Sequence, residues 1–329
     1  MSFFSALNEL FKSPAPPDPA VQEAFEHVLD WVDPLVRAAP RLEKHLLDSV
    51  AHALTYCQGI VDTLPGPIEV NRQSFSRDPL IHALFATPTD INDMLGRSEA
   101  VREFLGRTES WAEHEFYALL AARRQQKRQF GMAQQGDIIR NDVPQKVLYF
   151  SGQTLVEPNC DLTMTRNRLR YRALESLLRT FNSHVEQLRQ SRDSLRNDIS
   201  VENALLHVQR ADANPLREER HARHLDELDQ RLRENGALLA PENLVEQLAD
   251  FLCHPESALN AKPMIFHIDR LGIIHAPEEG APDVQTISFP ELSTRDRRQH
   301  LATLVRISRE EARQAVEIAQ SRQARRVLI

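Results

Sequence analysis

The densest run of metal-binding side-chain types is Glu218-Glu219-Arg220-His221-Ala222-Arg223-His224. On a helix Glu218 and His221 share a face, as in one part of a carboxylate di-iron bundle, but that chemistry needs a second Glu-x-x-His and two further glutamates. The chain has no second Glu-x-x-His, and Arg220 and Arg223 repel a cation, so the run reads as a solvated charged face. His45, His52 and Cys57 lie on one amphipathic stretch and read as partly buried histidines with a core cysteine. Cys253 and His254 are sequence neighbours, and neighbours on a helix diverge, so they do not pair locally as nucleophile and base. Glu113-His114-Glu115 lacks the spacing of a zinc-protease helix, and no serine sits in a Gly-x-Ser-x-Gly elbow. Gly131 and Gly136 have the outer spacing of a P-loop, but Asp137 stands where its lysine belongs. The sequence therefore assigns no catalytic residue, no metal site and no cofactor.

Binding chemistry has better candidates. Arg166, Arg168, Arg170 and Arg172 alternate, so they line one face of a strand or fan around a helix. Either way they can meet an acidic surface. Phe3, Phe4, Leu7, Leu10 and Phe11 fall in a short amphipathic helix ahead of the spacer Ser13-Pro14-Ala15-Pro16-Pro17-Asp18-Pro19. That segment either folds back as core or docks in a partner's groove. Contact with a membrane surface is less favoured, because Lys12 is its one basic residue.

The net charge of −7 and pI near 6.0 argue against nucleic acid. The charge is uneven, however. Residues 1–110 hold 16 acidic and 9 basic residues, whereas 163–192 hold seven arginines and two glutamates. Three widely spaced cysteines without a Cys-x-x-Cys pair argue against a disulfide framework, and no apolar run is long enough to span a membrane. A cytoplasmic protein is expected.

The elements that must carry these groups are mostly helical by pattern. From Thr165 to about Val208 one seam position takes Tyr171, Leu178, Val185, Arg192, Ile199 and Leu206, and the other takes Leu174, Phe181, Leu188, Leu195 and Glu202. Nine of these eleven are apolar or aromatic, the signature of a long helix packing lengthwise. Arg192 and Glu202 set register or pair across the seam. Asn214-Pro215 breaks this helix, and Leu225, Leu228 and Leu232 continue in a second, giving a helical hairpin. Before it, 20–135 reads as an all-helical domain whose last helix covers 110–130.

Two small β-hairpins are expected, one turning at Gly152 and one at Asp269-Arg270-Leu271-Gly272, with a final helix capped by Ser293 or Thr294 and ending near Arg322. Thr165–Arg168 and Thr294–Arg297 introduce similar leucine-led segments, which suggests a duplication. The expected fold is mainly α: residues 1–19 as amphipathic helix and spacer, a helical domain over 20–135, and a coiled-coil-like hairpin domain with small β-hairpins over 136–329. The expected function is a non-enzymatic scaffold or adaptor working through coiled-coil and Arg-rich surfaces, with a protein partner or self-association. A nucleic-acid factor and an enzyme with a site assembled from distant residues are the alternatives.

Overall fold

A computed structural model of the chain describes residues 18–135, 138–211, 215–276, 283–295 and 299–327. Phe3, Phe4, Leu7, Leu10 and Phe11 lie outside them. The described residues form two compact units, one from 18–56 with 174–255 and one from 57–173 with 256–327.

The first unit is helical. It holds α1 (Pro19–Trp31), α2 (Pro34–Arg37), most of α3 (Leu42–Asp62), the greater part of α8 (Leu162–Ala211), α9 (Pro215–Leu238) and α10 (Pro241–Cys253). Its helices start where the sequence supplies a cap followed by proline. Asp18 accepts from the Ala20 amide and Asp33 from the Leu35 amide, each at 2.9 Å, with Pro19 and Pro34 at the first helical position.

The seam side of α8 is buried at Leu174, Leu178, Phe181, Val185 and Leu195, while Leu188 and Ile199 are half-buried. Phe181 meets Phe251 of α10 with ring centroids 5.7 Å apart. Asn182 donates to the Trp31 carbonyl at 2.7 Å and accepts from the Asp33 amide at 3.1 Å. Arg189 donates to the Asp33 carboxylate at 2.7 Å, which raises the Arg189 pKa further. Glu202, the acid in the seam, pairs with His221 of α9, so α9 doubles back along α8. Carried along both helices, this register sets buried Leu195 level with buried Leu228.

The second unit contradicts the mainly α, all-helical expectation: it is a mixed α/β fold built on a six-stranded sheet. The strands are β1 (Ile68–Glu69), β2 (Glu115–Gln135), β3 (Ile138–Asn159), β4 (Leu259–Ile268), β5 (Gln285–Thr294) and β6 (Gln299–Ser308), in the order β3-β2-β6-β5-β4. All neighbours on that path are antiparallel, and β1 adds to β6 in parallel. Helices α4 (Ser74–Arg77), α5 (Pro79–Leu84), α6 (Pro88–Arg97), α7 (Glu99–Leu105) and α11 (Arg309–Val327) complete the unit.

One sheet face packs Phe116, Leu120, Phe289, Leu301, Val305 and Ile307 against Ile81, Leu84, Ile91 and Leu95 of α5 and α6. The other face packs Ala302 and Leu304 against Val61 and Leu169. A sheet covered on both faces needs apolar residues at every position instead of at alternate ones. That is why β6 runs Leu301, Ala302, Thr303, Leu304 and Val305 without one exposed side chain.

Three expected elements are corrected accordingly. Residues 115–135 are strand β2, not the end of a helix over 110–130. Residues 299–308 are strand β6, and the last helix begins only at Arg309. The two leucine-led segments thus differ, one being helix α8 and the other strand β6. Gly152 is no hairpin turn either. It sits with φ of 65° inside continuous β3, at a register irregularity between the pairs Ala121–Thr154 and Arg123–Ser151. The turn at residues 269–272 is present, with the Gly272 amide bonded to the Asp269 carbonyl at 3.0 Å.

Candidate functional site

The feature that stands apart is the outer part of the β2–β3 hairpin. Strands of 21 and 22 residues far exceed the usual three to ten or so. β6 pairs with β2 only as far as Arg123. Val147 bridges Ile273, and the Ile274 amide donates to the Lys146 carbonyl at 2.8 Å, so β3 keeps a neighbour only as far as Lys146. Beyond this, residues 129–135 and 138–145 pair with each other alone among the described residues. At about 3.3 Å per residue that is roughly 23 Å of two-stranded ribbon.

The root of this arm is fixed by charge. Arg124, the first residue past the β6 pairing, donates from Nε to Glu291 Oε1 at 2.5 Å and from a terminal nitrogen to Oε2 at 3.2 Å. Its guanidinium also lies 5.7 Å from the Phe266 ring centroid.

Alternation along β2 decides what the arm presents. The side that carries buried Phe116, Ala118, Leu120 and Ala122 continues outward as Gln126, Arg128, Phe130 and Met132. Arg128 stands directly opposite Lys146, and Phe130 opposite Pro144. Cross-strand partners share a face, so two cations sit side by side there, with an apolar end beyond them. Phe130 is 75% exposed and Met132 71%. The opposite face carries Lys127 and Gln129, with Arg123 on that side at the last position paired to β6. Arg123, Lys127, Arg128, Arg140 and Lys146 are all exposed, and none makes a salt bridge within the described residues. Over 123–146 the chain has six basic residues against two acidic ones, in a protein whose net charge is −7.

The arginines singled out by sequence are differently placed. All four lie in the first turns of α8, so they fan around a helix. Arg172 pairs with Glu157 at 2.6 Å, Arg168 with the same carboxylate at 3.9 Å, and Arg166 with Asp62 at 3.8 Å. Arg170 lies over the Tyr171 ring at 5.1 Å, with its Nε buried. Three of the four are thus occupied with carboxylates of the same unit.

Among the described residues no three His, Cys, Asp or Glu side chains are grouped to hold a metal ion. His45 and His52 are exposed and Cys57 is fully buried. Burial pushes the Cys57 thiol up to about 12, a shift the nearby Arg170 charge offsets in part. Burial, then Glu113 and Glu109, raise the Cys160 thiol as well, with Arg309 opposing them. Cys253 Sγ lies 3.4 Å from Ser49 Oγ.

A cleft in the second unit is edged by Asp90, Asp93, Arg97, Glu99, Glu103 and Gln153. Asp93 there is paired with Arg97 and Arg322. No helix among the described residues is long and apolar enough to cross a membrane.

Comparison of the chain with protein-family models, with curated proteins and with solved structures finds no match.

Sequence reasoning missed the arm because Ala118, Leu119, Leu120, Ala121, Ala122 and the Arg, Gln and Lys after them are good helix formers. A usable signal was there. Gly136-Asp137 is a dipeptide favoured in two-residue hairpin loops, and Val143 and Pro144 follow it closely.

Proposed function

We propose that the chain is a non-enzymatic, cytoplasmic adaptor whose contact surface is the β2–β3 arm. The observation that carries this reading is a hairpin that runs out past β6 and presents Lys127, Arg128 and Lys146, none with a carboxylate partner among the described residues, beside exposed Phe130 and Met132. Apolar side chains grouped on one face, with no other neighbour among the described residues, add little to folding stability, and grouped exposed apolar surface marks interaction sites. The seam of α8 is occupied within its own unit, which leaves the arm as the more available surface. Three unpaired cysteines suit a reducing compartment.

The test replaces Phe130 with the photoreactive p-benzoylphenylalanine in the full chain and irradiates the cells that make it. Ile318 of α11, exposed by 49%, serves as the control position. Covalent adducts from position 130 and none from 318 are expected. Equal yields from the two positions, or none from 130, would refute the assignment of the arm as contact surface.

A further inference from the structure

Resting on that reading of the arm, we infer that its partner is a double-stranded nucleic acid, entered through a groove. Four observations on the ribbon converge. First, Arg128 and Lys146 are direct cross-strand partners. Like charges in that relation repel, and no carboxylate of the described residues offsets them, so the pair is arranged for an external anion. Second, the positive charge is on both faces, with Arg128 and Lys146 on one and Lys127 on the other. A lipid surface meets one face of a ribbon, whereas the two phosphate strands that wall a duplex groove run past both.

Third, the exposed positions beside the cations on β2 are amides, Gln126 and Gln129, and β3 adds exposed Asn141 with one exposed acid among the described residues, Asp142. Amide side chains hydrogen-bond base edges and phosphates, and placing them among acyl chains costs free energy. Fourth, the outer end offers Phe130 and Met132, with Pro144 opposite Phe130. Side chains of these types wedge between base steps and kink a duplex. Wedges of this kind act from the minor groove, and two-stranded ribbons are known to enter that groove as well as the major one.

The acidic balance of the whole chain is no obstacle. It means that attraction is confined to the arm, so the arm alone should account for the salt dependence. Four cations of the arm, Lys127, Arg128, Arg140 and Lys146, none with a carboxylate partner among the described residues, neutralise four phosphates and give a slope of about −3.6 for log K against log salt. Affinity should then fall about 150-fold between about 50 and 200 mM salt. Replacing Lys127, Arg128 and Lys146 together by alanine leaves one contact, a slope of about −0.9 and a fall of about 3.5-fold. Phe130→Ala with Met132→Ala should keep the slope and abolish bending of an end-labelled duplex, read by energy transfer between the labels.

The experiment titrates the full chain against three probes by fluorescence anisotropy or sedimentation. They are a duplex of about three helical turns, one of its single strands, and vesicles containing phosphatidylserine. All substituted side chains are exposed, and unchanged circular dichroism and melting confirm the folded state of each variant. Duplex binding with the slopes above supports the inference. Binding to the single strand alone, arm-dependent binding to vesicles without duplex binding, or no binding to any probe overturns it. In these cases adducts from position 130 in cells would still leave the arm as a contact surface for another partner. Absence of those adducts as well would remove both readings.

Discussion

Breaking the ion pair at the root of the arm should destabilise the protein more than any change on the arm itself. Arg124 and Glu291 have side-chain exposures of 16% and 7%, and both carboxylate oxygens are used by the guanidinium. Glu291→Gln keeps the shape but leaves a desolvated cation with only neutral acceptors, the nearest alternative being the Gln299 side-chain oxygen at 3.4 Å. Removing one partner of a buried pair costs about 3–5 kcal/mol, a large fraction of the roughly 5–15 kcal/mol that holds a domain folded. Arg124→Met should cost at least as much, because the carboxylate is the more deeply buried partner.

The double variant Arg124→Met/Glu291→Leu removes both charges and places apolar groups beside Phe266 and Phe289. Its stability should return to within about 1 kcal/mol of the parent. Urea unfolding followed by circular dichroism, with free energies compared at matching m-values, provides the double-mutant cycle. Single variants costing under about 1 kcal/mol, or a double variant as unstable as the sum of the singles, would show the pair to be solvated. The arm would then lack a fixed root.

Two further outcomes follow from burial. Leu178→Ala, at a fully buried seam position, should cost about 2–5 kcal/mol, and Leu188→Ala clearly less because that side chain is half-exposed; equal costs in urea unfolding would refute the burial difference along α8. For the thiols, titration with a chromogenic disulfide near neutral pH should modify exposed Cys253 fast, Cys160 slowly and Cys57 only after denaturation. Because the Cys57 thiol ionises near 12 in the fold against 9.0 for the free side chain, its contribution to stability is complete below pH 9 and is lost as the pH rises towards 12. Rapid modification of Cys57 in the native chain would contradict its burial.

Local chemistry in the sequence determined the helices of the first unit, one helix of the second, and the points where they begin. Asp18-Pro19, Asp33-Pro34 and Asp78-Pro79 are cap and first-turn pairs that need no tertiary information, and each opens a helix. The 3.5-residue spacing from Tyr171 to Leu206 likewise marks one side of α8, because heptad spacing holds a single face towards its neighbours over many turns. The turn at residues 269–272 was readable for the same reason, its Asp and Gly being local requirements.

Only the tertiary structure decided the sheet. A strand buried on one face alternates, and alternation is legible, but β6 and the inner half of β2 are covered on both faces. Their apolar runs, Leu301 to Val305 and Phe116 to Ala122, therefore carry no period of two. The helix preference of Ala, Leu, Arg and Gln is worth only tenths of a kcal/mol per residue, or thereabouts. Burying Phe116, Leu120, Leu301 and Val305 outweighs it at about 1.5–3 kcal/mol for each large side chain. The arm was hidden by the same conflict. Its cations and its exposed Phe130 and Met132 become a surface only once β3 pairs with β2 and brings Lys146 opposite Arg128, a relation between residues 18 positions apart that no local pattern contains.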